Sequence, residues 1–491
     1  MFKRIFGILA VAVLVLITVL LVNTMLYVPK EQPVVAASDT GSFDVDAIAN
    51  NLSQSIRFKT VSHQSPADFE SSEFEGFIRW LKATYPLVHE KMELKFAGGL
   101  TPLYKWEGED SSRKPVIMTG HYDVVPAPEE TLGDWTEPPF SGNISDGFVW
   151  GRGTLDDKIA VVGLMEAAEH LLENGFSPKR TLYFAFGHDE EVGGWQGAGR
   201  VAQALKKQGV EMEWSLDEGS MVLDGILPGI KKPIASINVA EKGYVTLDIK
   251  AKAKGGHSSL PPSETAVGRL SKAIRKLEDN PVPGGLTDVS AEFFDAVAPN
   301  FPFVQRMLFA NQWLFGPLLE GELSKSAATN AMLRTTTAPT MLSASVKENV
   351  LPTEATATVN FRIHPRDTVE AVISHVENVI GDDQVEVSIR GDKNEASPVS
   401  DHQVSGYQLL SNTFREVFGE LIVVPGLTIA ATDTKHYSRI SENSYRINPI
   451  VFGPEDIPRI HGINERVSLE NIELVVKFYT RLIRNLDQSP G

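Results

Sequence analysis

Hydrophobic and polar positions change period several times along the chain, and the first long pattern is wholly apolar. Residues 6–28 read FGILAVAVLVLITVLLVNTMLYV. At about 1.5 Å per residue, this run is long enough to cross a hydrocarbon core of about 30 Å. We therefore predict an N-terminal transmembrane helix within residues 1–30, followed by a linker at 31–43 that contains Pro and Ser.

A pair of basic residues flanks the apolar run on its N-terminal side. Lys3 and Arg4 precede it, and no basic cluster follows closely. The positive-inside rule then places the N-terminus in the cytoplasm and the rest of the chain outside, in a periplasmic, extracellular or lumenal space. The run is longer than a typical signal-peptide core, which favours an uncleaved signal-anchor over cleavage near Ala36 and Ala37.

Strand-like apolar runs alternate with amphipathic stretches over residues 44–241, and this pattern predicts an α/β domain with a mainly parallel central sheet. Residues 394–491 show the same alternation of apolar runs and amphipathic stretches and are predicted to complete the domain. Ser468 is predicted as the N-cap of a final amphipathic helix. Four apolar runs lead into polar or glycine-containing segments: 116–119, 181–186, 213–216 and 450–452. Because ligands collect outside the carboxyl ends of such strands, these segments are candidates for a site.

Residues 242–393 change to β-rich alternation. Strands are predicted at 244–249, 331–342, 355–363 and 385–389, with helices at 264–277 and 368–380. The order strand, helix, strand, strand, helix, strand indicates a ferredoxin-like α+β lid domain inserted into the first domain.

The lid contains a long insertion, residues 281–325, that is rich in Pro and aromatic residues. Its rings are Phe293, Phe294, Phe301, Phe303, Phe309, Trp313 and Phe315. Two interpretations stay open: the rings pack an added helical subdomain, or they form an apolar acyl pocket or a membrane-facing patch.

Composition narrows the function classes. The 491 residues carry a formal net charge of -17, with no clustered Lys and Arg for following phosphates, so nucleic acid is not an expected partner. The chain has no cysteine, so disulfides and thiolate metal sites are excluded. Any bound metal must therefore be held by His, Asp and Glu.

Residues of metal-ligand type stand at the predicted strand ends. His121 and Asp123 face one side of an extended segment, where the carboxylate would orient a ligating imidazole. Asp156 lies in a Gly-rich loop that opens a helix near Ile159. Singly, each motif also fits a structural role, such as a surface turn at His121 or a helix cap at Asp156 or Asp157.

Two adjacent carboxylates, Glu190 and Glu191, follow an apolar strand. Neighbouring side chains on an extended segment face opposite ways, so one would bind metal while the other handles a proton. Asp217 and His461 offer further ligands, and His257 in a Gly-Gly-His-Ser-Ser turn could donate to an oxyanion. Solvated turns remain the alternative for each of these segments.

Together these stretches resemble the co-catalytic zinc peptidase family of aminoacylases and glutamate carboxypeptidases, over roughly residues 45–488. The matching segments are GHYDVVP (120–126), GRGTLDDK (151–158), FGHDEEVGG (186–194), LDEGS (216–220), GGHSS (255–259), NFRIHP (360–365) and IHGINE (460–465). The segments HDEE, RTTTAPTM, KENVLP and ATDTKHY are most similar to the branch of carboxypeptidase S and the N-fatty-acyl-amino-acid hydrolases.

The resemblance implies a zinc-peptidase (phosphorylase/hydrolase-like) catalytic domain with two zinc ions per chain, which manganese or cobalt could replace. The implied ligands are His121, Asp156 as the bridge, Glu191, Asp217 and His461. It also implies a cis peptide between Asp156 and Asp157. Asp217 is the assignment most open to a shift by one, because Glu218 is its neighbour.

The same resemblance implies that Asp123 orients His121, Glu190 is general base and then acid, His257 stabilises the oxyanion, and Arg362 receives the substrate carboxylate. The expected activity is hydrolysis of an amide in a peptide or an N-acyl amino acid. An N-acyl-amino-acid hydrolase or synthase and a dipeptidase stay open, as does a homodimer formed through the lid. Alternatives of another class are a non-catalytic metal-binding protein and a membrane-tethered interaction module.

Overall fold

The computed structural model describes residues 2–30, 32–33 and 41–488. The alternative cleavage position near Ala36, and most of the predicted linker at 31–43, lie outside these residues. The helices are α1 Phe2–Leu26, α2 Val45–Ile56, α3 Ser71–Thr84, α4 Pro86–Lys91, α5 Lys158–Glu173, α6 Ala198–Lys207, α7 Ala266–Asp279, α8 Asp288–Val297, α9 Phe303–Ala310, α10 Gln312–Leu323, α11 Ala327–Leu333, α12 Val369–Ile380, α13 Ser405–Phe418, α14 Thr434–Tyr437 and α15 Leu469–Gln488.

Most strands belong to one of two large sheets. They are β1 Glu93–Ala97, β2 Thr101–Trp106, β3 Val116–His121, β4 Ile144–Ser145, β5 Phe148–Trp150, β6 Leu182–Gly187, β7 Met212–Asp217, β8 Val222–Leu223, β9 Ile234–Glu241, β10 Gly243–Lys252, β11 Gly256–His257, β12 Thr336–Ser343, β13 Val350–Leu351, β14 Glu354–Ile363, β15 Val385–Asn394, β16 Ile422–Thr428, β17 Ser441–Arg446, β18 Val451–Phe452 and β19 Arg466–Ser468.

The chain divides into two compact units. One contains residues 30–239, 400–426 and 432–491, and the other contains 1–29, 240–399 and 427–431. The predicted domain boundaries stay predictions, because a division by contacts does not test whether either part folds alone.

A ten-stranded sheet forms the centre of the first unit, in the order β1-β2-β6-β3-β7-β17-β9-β8-β18, with β16 paired to β9. The central neighbours β6, β3, β7 and β17 run parallel, whereas β1 and β2 form an antiparallel edge. The predicted α/β fold with a mainly parallel centre is confirmed. Every residue of β3 and of β6 is buried, as expected for strands covered on both faces.

Helices cover the sheet, and the final helix begins where the sequence predicts. One face buries Ile117 and Ala185 against Val201 and Leu205 of α6. The Ser468 hydroxyl accepts a hydrogen bond from the Asn471 amide at 3.1 Å, which confirms the predicted N-cap of α15.

The second unit contains a four-stranded antiparallel sheet in the order β12-β14-β10-β15, with α7 and α12 in sequence between its strands. Residues of β10 alternate between buried and half-buried along most of the strand. The buried row packs with Leu270 of α7 and Val372 of α12 in one core.

The predicted strand at 331–342 is wrong at its start. Residues 327–333, AATNAML, form helix α11, and β12 begins only at Thr336. Ala, Met and Leu favour a helix, whereas the β-branched run from Thr335 to Thr337 favours a strand.

Helix α1 is the one helix among the described residues that is long and apolar enough to cross a membrane, with a mean hydropathy of 3.3 over its best window. A signal sequence near the N-terminus also meets these criteria of length and hydropathy. The role of α1 as a membrane anchor is therefore a proposal.

Candidate metal centre

The predicted site residues follow three neighbouring strands. Strand β3 ends at His121 and β7 at Asp217, while β6 ends at Gly187 shortly before Glu190 and Glu191. The strands are adjacent and parallel in the order β6-β3-β7. Their carboxyl ends therefore meet at one edge of the sheet, which is where open α/β sheets place their ligands.

His121 is buried and its tautomer is fixed by a backbone partner. Its Nδ1 lies 2.9 Å from the carbonyl oxygen of Asp123 and 3.4 Å from Oδ1 of the same residue. A carbonyl only accepts, so Nδ1 carries a hydrogen, which leaves Nε2 as the nitrogen for a metal ion. That Nε2 lies 2.9 Å from Oδ1 of Asp156. The imidazole is thus prepared to bind a cation through Nε2.

The Asp123 carboxylate holds the loop that carries the two glutamates. Oδ1 accepts the Glu190 amide and Oδ2 the Glu191 amide, both at 3.1 Å, while the Ser62 hydroxyl donates to Oδ2 at 2.6 Å. Asp123 therefore connects the position of His121 to that of the glutamate pair. Sequence reasoning predicted that the Asp123 carboxylate orients His121, whereas the shorter contact to Nδ1 comes from the Asp123 carbonyl oxygen. It missed the link to the glutamates.

The Gly-rich loop contains the expected cis peptide between Asp156 and Asp157. Asp157 stands at the N-cap of α5, yet its side chain makes no capping bond. Its carboxylate instead accepts from the Asn448 amide nitrogen at 2.7 Å and from the His121 backbone amide at 3.3 Å. The helix-cap alternative for Asp157 is therefore wrong.

A buried glutamate that sequence reasoning gave no role holds this loop in place. Glu465 Oε1 accepts the backbone amides of Gly153 and Leu155, both at 2.9 Å. Glu465 Oε2 pairs with Arg152 Nη1 at 2.6 Å, and Arg152 Nη2 donates to the Gly462 carbonyl at 2.9 Å. The network joins the loop of Asp156 to the loop of His461.

His461 completes the cluster from a strained turn. Its φ of 57° lies in the left-handed region, which a non-glycine residue adopts at a cost of order 1–3 kcal/mol. Its Nε2 lies 3.0 Å from Asp156 Oδ2 and 3.4 Å from Glu191 Oε2. The two oxygens of Asp156 thus face two different histidines, as a bridging carboxylate requires.

The cluster fits a cation. Ligand atoms of His121, Asp156 and Glu191 all lie within 4.8 Å of one another. Glu191 Oε1 is buried and has no hydrogen-bond partner within the described parts of the chain. An ionised oxygen buried without a partner is costly, and a bound metal ion removes that cost. Imidazole and carboxylate ligands suit zinc and equally manganese or cobalt.

Glu190 lies beside these ligands, and its pKa is strongly shifted. Burial raises the pKa of Glu190 well above its usual value; the charge of His121 opposes this, and the carboxylates of Asp433 and Glu191 add to it. A carboxyl group that favours its protonated form in this environment is suited to accept a proton and pass it on.

Asp217 is buried at the end of β7, but both of its oxygens already have partners. Thr119 donates to Oδ1 and Thr434 to Oδ2, each at 2.8 Å. The next residue, Glu218, has its pKa raised by burial first and then by the carboxylates of Asp156 and Glu190. The carboxylates of the cluster therefore interact electrostatically with Glu218.

Asp433 is a buried carboxylate that the ATDTKHY segment contained but to which we assigned no role. A Cβ at Gly187 would lie 2.6 Å from its Oδ2, so glycine is needed there for close approach. Burial raises the pKa of Asp433, and the charge of Asp217 adds to the effect. Only the contact of distant segments in the fold brings Asp433 to this edge.

His257 belongs to the second unit, on the short strand β11, and its side chain is exposed. The Ser259 backbone amide donates to His257 Nδ1 at 3.1 Å. Because that amide only donates, Nδ1 is unprotonated and Nε2 carries the hydrogen of the neutral ring. An Nε2–H donor is what an oxyanion-binding histidine needs.

Arg362 lies on β14 opposite Tyr244 of β10, with its guanidinium carbon 6.0 Å from the centre of that ring. A second cation, Lys242, is buried nearby and donates to the Arg334 carbonyl at 2.8 Å. Burial lowers the pKa of Lys242 to about 7, and the Arg362 charge adds to this. Sequence reasoning missed Lys242.

Comparison with known proteins identifies the family of this chain. Residues 117–485 match the peptidase family M20/M25/M40. The N-fatty-acyl-amino acid synthase/hydrolase PM20D1 of Xenopus tropicalis is 42% identical over 440 residues, which cover 89% of this chain and 85% of that protein. The probable carboxypeptidase S-like 2 of Dictyostelium discoideum is 39% identical over 483 residues, covering 96% and 92%.

A solved structure is similar throughout its length. The M20 family metallo-carboxypeptidase Sso-CP2 from Sulfolobus solfataricus superimposes with a TM-score of 0.64 at 16% identity, covering 90% of this chain and 99% of that one. Similarity at this identity supports the fold, and the close sequence relatives support the activity class. The chain therefore belongs to peptidase family M20/M25/M40 and is an enzyme of the metal-dependent peptidase and amidohydrolase type.

Proposed function

We propose that this protein is a membrane-anchored dinuclear zinc hydrolase that acts outside the cytoplasm on N-acyl amino acids with a free carboxylate. The observation that carries the proposal is the arrangement around Asp156, whose two oxygens lie 2.9 and 3.0 Å from the Nε2 atoms of His121 and His461. The relative at 42% identity, named an N-fatty-acyl-amino acid synthase/hydrolase, favours the acyl class of substrate.

In this proposal His121, Asp156, Glu191 and His461 would hold the metal ions, with Asp156 placed between the two histidines. When bound, the zinc ions would polarise the amide carbonyl and lower the pKa of the attacking water. Glu190 accepts the proton of that water and then delivers it to the leaving nitrogen. Asp123 holds His121 and the loop of Glu190 and Glu191 in fixed relative positions.

The lid residues would bind the two charged parts of the substrate. His257 donates its Nε2–H to the oxyanion that develops from the carbonyl oxygen, and Arg362 receives the free carboxylate in a bidentate pair. Both roles come from the resemblance to the family. The tautomer imposed by Ser259 supports the first role, and the second cation near Arg362 supports the other.

A substrate panel tests the proposed function on the full chain in detergent. We expect a long-chain N-acyl amino acid to be hydrolysed with a higher kcat/KM than a dipeptide or an acetylated tripeptide. Chelation should abolish all turnover, and zinc should restore it. Preference for the peptides would support the second candidate, a carboxypeptidase, which the 39% identical carboxypeptidase S-like relative favours. Metal binding without turnover would support a binding protein instead.

We further propose that Glu218, rather than the predicted Asp217, is the fifth metal ligand. Asp217 has its two oxygens occupied by the hydroxyls of Thr119 and Thr434, whereas the pKa of Glu218 is raised by burial first and then by the Asp156 carboxylate. A carboxylate whose two oxygens accept from hydroxyls suits a position that supports the neighbouring metal ligands.

Adjacent substitutions separate these two assignments. Glu218→Gln should reduce the metal content of the purified chain from two ions towards one. Asp217→Asn should keep both ions at saturating zinc and weaken affinity by about 10- to 100-fold, as outer contacts do. Metal analysis by mass spectrometry at saturating and limiting zinc measures both quantities. Loss of an ion from Asp217→Asn alone would restore the original assignment.

Arg362→Ala should raise KM for substrates with a free carboxylate by about 10- to 100-fold, because a hydrogen bond to a charged group contributes about 1.5–3 kcal/mol. Amidated forms of the same substrates should be affected far less. Arg390→Ala is the matched control, since Arg390 lies in the same sheet and pairs with Asp248 on its surface. Equal effects on the acid and the amide would contradict the proposed role.

The anchor and the oligomer are separate parts of the proposal. Residues 1–30 are proposed to cross the membrane with the catalytic part outside the cytoplasm, on the basis of length, hydropathy and flanking charge. A homodimer through the lid remains a prediction from the resemblance. A chain that binds no metal and is unaffected by chelation would instead fit a membrane-tethered interaction module.

A further inference from the structure

Helices α9 and α10 of the lid insertion expose large apolar side chains. The exposed residues are Phe303, Val304, Trp313, Leu314 and Leu318, with 66% of Val304 and 63% of Trp313 accessible. We call these five residues the apolar lid patch. Exposure of this many large apolar groups on two consecutive short helices usually marks an interaction surface.

The insertion has an interior of its own that does not use the patch. Phe309 stacks on Phe294 and on Phe301, with ring centres 5.4 and 5.7 Å apart. This core satisfies the interpretation that the rings pack a helical subdomain, but only for some of them. Residues 302–319 contain a single charge, Arg306, in a chain whose net charge is -17. The patch therefore lacks the acidic groups that give the chain its net negative charge.

The subdomain is attached directly to the apolar N-terminal helix. Asn311, which is buried at the end of α9, accepts a hydrogen bond from the Asn23 side-chain amide at 2.9 Å. Its own amide donates to the Leu20 carbonyl at 3.3 Å and to the Thr24 hydroxyl at 3.4 Å. Polar groups inside or near hydrocarbon must pair in this way, so the contact suits a helix that leaves a bilayer at this point.

The position of this contact along α1 sets the depth of the patch. Leu20, Asn23 and Thr24 lie in the last turns of α1, within about 9 Å of its end at Leu26 at a rise of about 1.5 Å per residue. If α1 crosses the membrane, α9 is held where the chain passes from hydrocarbon to headgroups. Apolar side chains with a Trp among them are typical of that depth.

We propose that the apolar lid patch inserts into the outer leaflet of the same bilayer that α1 crosses, so that the lid itself touches lipid. The proposal rests on the anchor in the proposed function. It commits to lipid as the occupant because helix α9, which carries part of the patch, contacts the proposed membrane-spanning helix, and because the segment 302–319 has one basic residue and no acidic one. The lid would then lie at the level where amphiphilic N-acyl amino acids partition.

The absence of cysteine allows a direct test with the full chain. Single cysteines at Val304 and Trp313 would carry nitroxide labels, in protein reconstituted into phosphatidylcholine vesicles. Oxygen collides preferentially with labels in lipid and a nickel chelate with labels in water. Val346→Cys is the matched control because Val346 is an apolar lid residue that is 99% exposed in a loop. Leu14→Cys, within α1, reports the bilayer interior.

We expect the ratio of oxygen to nickel collisions at Val304 and Trp313 to be several-fold above that at Val346. If the ratios at Val304 and Trp313 equal that of Val346 while Leu14 lies in lipid, the patch does not insert into the bilayer. The proposal that α1 spans the membrane would still hold. Labels shielded from both reagents would also contradict the insertion of the patch, with spin–spin broadening indicating a second copy and its absence indicating an internal acyl pocket. If the Leu14 label lies in water, both the membrane anchor and the insertion of the patch are contradicted. Hydrolysis measured on the same samples tests the catalytic proposal separately.

Discussion

Glu190→Gln is expected to lower kcat by about 100-fold or more while both metals stay bound. A positioned general base and acid contributes about 10²–10⁴ in rate, and an amide cannot accept the proton of the attacking water. Glutamine keeps the size of the side chain, and the bond from the backbone amide to Asp123 Oδ1 does not depend on the side chain. The fold and the metal content should therefore survive.

The neighbouring glutamate supplies the control for this result. Glu191→Gln should lose metal, because Glu191 Oε1 is a buried oxygen without a hydrogen-bond partner in the described chain and Oε2 lies 3.4 Å from His461 Nε2. Metal content and single-turnover rates would be measured for both variants. A Glu190→Gln enzyme that is metal-loaded and nearly as fast as the parent would exclude Glu190 as the base.

The architecture of the site was largely predictable because strand periodicity and strand ends are local properties. The apolar runs before His121 and Asp217 gave the strands β3 and β7, and their parallel pairing follows from the alternation of strands and helices. The Ser468 cap was readable for the same reason, since a cap depends on residues within one turn.

The direction of a side chain beyond the end of a strand was not predictable in this way. Asp217 and Glu218 are both carboxylates, and the choice between them depends on Thr119 and Thr434, which come from elsewhere in the chain. Asp433 is likewise brought to the edge of the sheet by the fold alone. The contact between Asn311 and α1 joins segments almost 300 positions apart, so only the structure reveals it.

Glu465 lies in a recognised motif, yet its structural role in holding the loop of Asp156 was not predicted. It lies in the segment IHGINE, where attention falls on His461 as a ligand. Its carboxylate is fully buried and pairs with Arg152, which is buried as well. Burial is the largest influence and raises the pKa of Glu465 to about 7, although the Arg152 charge and the Leu155 amide oppose it.

Glu465→Ala is expected to destabilise the protein by about 3–5 kcal/mol, because it leaves the Arg152 guanidinium buried without a counter-charge. The thermal midpoint, followed by circular dichroism, should fall by several degrees. Glu386→Ala, which breaks the exposed ion pair with Lys252, should leave the midpoint unchanged and serves as the control.

A double variant separates the two tasks of this glutamate. If its main task is to neutralise Arg152, then Arg152→Met combined with Glu465→Met should recover most of the lost stability, because no charge remains buried. We expect partial recovery, since the buried charge is removed but the amides of Gly153 and Leu155 still lack the acceptor that Oε1 provides. Zinc affinity should fall in both variants, because the same loop carries Asp156. Full recovery of stability and of affinity would show that the ion pair, and not the loop, is what Glu465 maintains.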